Sequence, residues 1–213
     1  MLRRFFRSMF HASWRHLLLF GVTLLAYLVQ SCVLSPYVHI GGITPNLLMA
    51  TLAVVAVGYG QLQSLWSGAL LGILLEVMQP SRPLLNLLLY PISAFFTASV
   101  FSNKSDQQLA YERSVGKAGR DINPLARVMM CAATNTAVYE VVNIAYIYLR
   151  GADLNMGHIG RGLLNVLLST LLSIPVLLLL RKPFGIRRVR QEQHATPYTG
   201  AADAQPGINQ YLR

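Results

Sequence analysis

Glu76 and Glu140 are the two carboxylates that stand in otherwise uncharged apolar stretches. A charge at the centre of a membrane span costs about 3 kcal/mol on insertion scales, so such a carboxylate faces a partner or a cavity, unless, as is open to Glu76, it lies at the membrane edge and reaches water. An acidic pair can run general acid–base chemistry on a peptide bond inside lipid, but intramembrane proteases of that kind use aspartates in fixed motifs. The histidines are His11, His16, His39, His158 and His194; none falls inside an apolar run and no two sit at metal-ligand spacing on a helix. His-Glu-x-x-His, a Gly-x-Ser-x-Gly nucleophile turn and a Gly-x-x-x-x-Gly-Lys phosphate loop are all missing. Ser67 beside Gly68 reads as a packing pair, not a nucleophile. The chain is therefore expected to be no enzyme, with no cofactor and no metal.

What those residues can do instead is hold helices together. Gly68, Gly72 and Glu76 are four apart and form one stripe on a helix. Glycines at that spacing let another backbone approach closely. Arg82 follows Glu76 across the helix end, near enough to be its ion partner. Ala133, Thr136, Ala137, Glu140 and Asn143 make a second small and polar stripe, which should face protein and not lipid. Glu140 has no cation near it in sequence, so it needs a partner from another helix or a proton of its own. Thr44-Pro45 supplies an N-cap and a first-turn proline for a helix that continues with Asn46.

The elements that carry these residues are apolar runs. Hydrophobic residues make up 54% of the 213-residue chain and charged residues 12%. A soluble domain carries about a quarter charged residues. Mean hydropathy is +0.44. We therefore expect an all-α integral membrane protein of one domain with six transmembrane helices, at about 17–34, 44–57, 62–78, 84–101, 125–149 and 162–180. Pro91 is expected to kink the fourth helix. Asn165 lies early and Pro175 late in the sixth.

Residues 1–16 place Leu2, Phe5, Phe6, Met9, Phe10 and Trp14 on one side and arginines on the other, a helix suited to an anionic membrane surface. No small-x-small cleavage site follows the first apolar run, and Val29-Gln30-Ser31-Cys32 fits a lipoprotein box poorly. The net charge of +10 gathers at both ends and in the polar loop 102–122, beside apolar runs. That is the pattern of orientation signals, not of nucleic-acid binding, and it places both termini in the cytoplasm. Residues 182–213 are expected to form a basic and then disordered tail. Glu76 and Glu140 would both lie toward the outer half of the membrane. Cys32 and Cys131 sit in apolar runs and make neither a disulfide frame nor a zinc site.

A span opening Thr44-Pro45-Asn46-Leu47-Leu48, followed by Gly68-x-x-x-Gly72-x-x-x-Glu76, resembles the rod-shape-determining membrane protein MreD of bacteria. Asn165, Pro175 and the basic Arg181-Lys182 are similar to that family's last span. The sequence departs from the family in Glu76, where aspartate is usual, in Gln79-Pro80 at a Gly/Ser-rich turn, and in its longer loop and tail. The resemblance implies a multi-pass protein of the bacterial inner membrane that scaffolds peptidoglycan synthesis in the cell-elongation machinery. Its partners would be MreC, the actin-like MreB, a SEDS glycosyltransferase and its penicillin-binding transpeptidase. The Gly68/Gly72/Glu76 seam would pack internally or against MreC, and the basic segments would meet anionic lipid. The architecture is also similar to the substrate-capturing subunits of energy-coupling-factor (ECF) vitamin transporters. That gives a second expectation, a pocket built from Glu76, Asn86, Glu140 and Asn143. Against it, helix one offers only Ala26 toward the alanine stripe such subunits use for docking.

Overall fold

The structure is a computed structural model that describes residues 2–78, 84–102, 123–151, 155–182 and 184, with side chains from His16 onward. The expected polar loop, the tail and the amphipathic side chains of residues 1–15 lie outside the described residues.

Every described element is helical apart from one isolated bridge. Helix α1 is Leu2–Val29, and it runs without interruption from the basic segment into the first apolar run. A π-helical turn, Gln30–Leu34, and a short α2, Ser35–Tyr37, extend it. Pro36 has no N–H to give the carbonyl one turn back, which loosens the α-helical register there. Ile40 and Ile43 then exchange backbone hydrogen bonds of 2.9 and 3.2 Å around Gly41-Gly42. Both glycines have positive φ, as a two-residue hairpin of this hand requires.

Helix α3 is Leu47–Tyr59, and all eleven residues from Leu47 to Val57 are buried. Gly60, at φ 87°, ends it, and α4, Gln61–Met78, turns straight back. Helix α5 is Leu85–Phe101, α6 is Pro124–Leu149 and α7 is Met156–Leu180. At 1.5 Å per residue the 13 residues of α3 reach about 20 Å, short of the ~30 Å hydrocarbon layer. It has no lipid-facing side; α1, α4, α5, α6 and α7 all pack around it. An apolar helix with no polar face belongs in a protein core or in lipid, and here it is in the core.

The surrounding helices are apolar outside and small or polar inside. On α7 Gly162, Ser169, Ser173 and Leu177 are buried while Leu163, Leu167, Leu171 and Leu178 are exposed. On α5 Ser93, Ala94, Thr97 and Ala98 face inward and Ile92, Phe96 and Val100 outward. This is the reverse of a water-soluble bundle. Three helices, His16–Tyr37, Pro124–Leu149 and Met156–Leu180, are long and apolar enough to cross a membrane. Helices α3 and α5 are apolar but shorter.

Gln30 at the end of α1, Asn46 before α3, Leu75 late in α4, Asn86 early in α5, Asn143 late in α6 and Asn165 in α7 line one cavity. Helix ends can meet so only if the six long helices run alternately in opposite directions. The other end is closed by a core containing Leu19, Val57, Ala98, Val128, Leu177 and Leu180. There Tyr59 meets Phe184 edge to face at 4.8 Å. The middle of α1, at Leu19, and the end of α7 therefore share that end.

Candidate functional site

The site begins with the first turn of α3, whose N–H groups have no partners within the helix. The sequence suggests Thr44 as the cap; the structure places the cap two residues on, at Asn46, with Pro45 buried outside the helix. The Asn46 side-chain oxygen accepts from Leu48 N and Met49 N, each at 3.1 Å. Leu47 N donates to Gln30 Oε1 at 2.7 Å, a contact made by the π-helical turn at the end of α1. Away from water an unpaired N–H costs several kcal/mol, so these two acceptors, satisfying three N–H groups, hold the start of α3 in place.

Asn46 also ties α3 to its neighbours. Its backbone N–H donates to Ser169 Oγ at 2.9 Å, and its side-chain amide lies 3.4 Å from the Tyr90 hydroxyl. Ser169 Oγ donates to Asn165 Oδ1 at 3.1 Å, and Asn165 Nδ2 donates to Glu140 Oε1 at 2.5 Å. One chain of hydrogen bonds thus runs from α3 through α7 to α6. Glu140 therefore has the partner from another helix that its position demands, and that partner is a neutral amide. Glutamine offers the same acceptor. Glu140→Gln is expected to change stability by less than about 1 kcal/mol, whereas Glu140→Leu, which strands the Asn165 amide, should cost about 1–3 kcal/mol. Thermal melts in detergent of the two variants beside the parent check this.

Around the chain lies a cavity of about 300 Å³. Its walls carry the amides of Gln30, Asn46, Asn86, Asn143 and Asn165 and the hydroxyls of Ser31, Ser35 and Thr44. Tyr90 and Tyr139, edge to face at 5.6 Å, and the side chains of Leu48 and Leu75 complete it. The Tyr139 hydroxyl donates to Asn86 Oδ1 at 3.4 Å. No charged residue lines this cavity among the described residues. A second recess shares Thr44, Asn143 and Asn165 and adds Glu140, His158 and Arg161. Asn143 Oδ1 is buried without a hydrogen-bond partner among the described residues.

The glycine stripe has a different role. A Cβ on Gly68 would stand 2.7 Å from Pro91 Cα and 2.8 Å from Tyr90 O; one on Gly72 would stand 2.8 Å from Asn86 O and 2.9 Å from Leu87 Cα. Both glycines therefore press on the backbone of α5 in the same chain. Glu76 continues the stripe, and its Oε1 accepts from Leu84 N at 2.6 Å, capping the start of α5. A carboxylate there also faces the positive end of the α5 dipole. Leu84 holds φ 64°, a left-handed conformation unusual for leucine. Arg82, the expected partner of Glu76, lies outside the described residues.

The expected ligand pocket of Glu76, Asn86, Glu140 and Asn143 is thus divided. Asn86 and Asn143 line the first cavity, Glu140 borders the second, and Glu76 lines neither. In the expected polar stripe of α6, Thr136 is buried and its hydroxyl has no partner among the described residues. Sequence reasoning missed Gln30, Tyr90, Tyr139 and Ser169. Gln30 carried a signal, since a glutamine inside an apolar run is costly unless satisfied. It also missed Asn135, fully buried one position from Thr136.

The chain matches no protein-family model, no curated protein and no solved structure.

Proposed function

We propose that this protein is a non-enzymatic subunit of the bacterial cell-elongation machinery, crossing the inner membrane six times with both termini cytoplasmic. It scaffolds peptidoglycan synthesis by helix packing with MreC, beside MreB, the SEDS glycosyltransferase and the penicillin-binding transpeptidase. One observation carries this reading. The residues that resemble MreD are those that hold the bundle together: Asn46 caps α3, Gly68 and Gly72 seat α4 on α5, Glu76 caps α5, and Asn165 links α7 to α6. A shared motif with such roles implies a shared architecture. Because the glycine stripe is covered by α5, MreC docks on an outer helix face. The alternation of helix directions and the apolar exteriors support six crossings, with the cavity toward the outer end. Depletion in a rod-shaped host is expected to round the cells, and capture from crosslinked membranes to return MreC. Depleted cells that keep their outline, with MreC absent from the capture, would overturn the reading.

The cavity favours a second reading, a small-molecule-binding subunit of an ECF-type transporter. In that case the capture returns an ATP-hydrolysing partner pair instead of MreC.

A further inference from the structure

We infer that the cavity between the end of α1 and the starts of α3 and α5 binds a small uncharged polyhydroxylated molecule, one sugar ring in size. The inference deepens the second reading and rests on it. Three properties of the walls select this class. First, no ionic side chain lines the cavity among the described residues, so a buried charge on the ligand would be uncompensated. Second, amides and hydroxyls from α1, α3, α5, α6 and α7 converge there, and an apolar ligand would leave them without partners. Asn143 also lines the cavity, and its Oδ1, buried, lacks a partner among the described residues. Third, the Tyr90 and Tyr139 rings with Leu48 and Leu75 give an apolar wall for the C–H face of a ring. A volume of about 300 Å³ is at the small end of ligand pockets, enough for one ring.

The polyol could be free or borne on a lipid, and the test separates the two. The full chain is placed in nanodiscs without any glycoside detergent and titrated with methyl glucoside, glucose 6-phosphate and dodecyl maltoside. Binding is read by native mass spectrometry and by thermal shift. Methyl glucoside is expected to saturate with a Kd below about 1 mM, and glucose 6-phosphate to bind at least about tenfold more weakly. Binding of the maltoside alone would support the same chemistry from a lipid-borne source. Asn143→Leu should weaken glycoside binding at least about tenfold with an unchanged melting temperature. If that variant misfolds, Ser31→Ala supplies the comparison, with a smaller loss expected.

Equal or tighter binding of the phosphate ester overturns the inference, as does no glycoside binding up to about 10 mM. Thiamine and biotin are titrated in parallel. Binding of either without any glycoside binding sinks the polyol assignment and leaves the carrier reading standing. Silence of every probe ends both.

Discussion

Replacing Gly68 and Gly72 together with alanine is expected to lower stability by at least about 2 kcal/mol, more than any other pair of the described glycines whose added Cβ is placed. Overpacking of one site costs about 1–3 kcal/mol. The two sites share one interface, so their costs do not simply add; helices already forced apart at Gly68 admit the second methyl more cheaply. The sum of two isolated sites is therefore a ceiling. What makes these positions severe is the nature of the neighbour. The added carbon meets the backbone of Pro91, Tyr90, Asn86 and Leu87, which cannot turn aside as a side chain tip can. Helix α5 must move as a body, and with it the Asn86 and Tyr90 walls of the cavity. Gly21→Ala in α1 and Gly157→Ala in α7 are the controls. Neither meets an atom within 4 Å, and the gain in helix propensity, up to about 1 kcal/mol, should leave them at or above the parent. Melting in detergent, followed by circular dichroism, ranks the four proteins. A double variant that melts with the parent would show that α4 does not lie on α5 in this way. The same proteins separate two roles for the stripe. If MreC packed on it, capture of MreC would fail while the fold survived; with the seam internal, the two are lost together.

The small-residue seam was legible because it needs only local facts. Four-residue spacing fixes the face, and glycine fixes how near another backbone can come. Asn123-Pro124 has the same local grammar as Thr44-Pro45, a capping side chain before a first-turn proline, and Asn123 accepts from Leu125 N at the start of α6. The turn at Gly60 needs only a positive φ, which glycine tolerates. What covers the stripe was not local. Between α5 and a separate protein the sequence offers no choice, because either would present a smooth helix backbone. The start of α3 shows the limit more sharply. Thr44 and Asn46 are both good caps, and Pro45 suits a first turn. The decision falls to Gln30, fifteen residues before the Pro45 position, and to Ser169, more than a hundred residues after it. Each accepts an N–H at the entry to α3 that no carbonyl within the helix reaches. The cavity was half visible, since Asn86 and Asn143 are polar residues in apolar runs. Its tyrosine wall was not, because tyrosine in a membrane helix is as well suited to an interface as to a core.

Asn46→Leu carries the second large effect, an expected loss of about 2–4 kcal/mol. A lost cap costs about 0.5–2 kcal/mol, and a donor left unsatisfied in the interior costs about 1–3 kcal/mol. Here one oxygen serves two donors, Leu48 N and Met49 N, at the start of a helix whose residues Leu47 to Val57 are all buried. The carboxamide also reaches Tyr90, but at 3.4 Å that bond is weak. Asn46→Asp tests which of these contacts matters. Aspartate keeps the oxygen for both amides and adds a negative charge at the positive end of α3, worth about 0.3–1 kcal/mol, while it gives up the donor to Tyr90. Its charge enters a cavity with no ionic lining among the described residues, so a net loss is expected, smaller than that of leucine. Thr44→Ala completes the set. With Thr44 as the cap, alanine would cost about as much as any lost cap; with Asn46 in that place, it should cost less than about 0.5 kcal/mol. Hydrogen exchange at Leu48 and Met49 reads the same question directly. Fast exchange in Asn46→Leu, with protection kept in Asn46→Asp and Thr44→Ala, is the pattern required if this one side chain sets where the central helix begins. Protection lost in Thr44→Ala instead would move the start of α3 back by two residues and withdraw Gln30 and Ser169 from their donors.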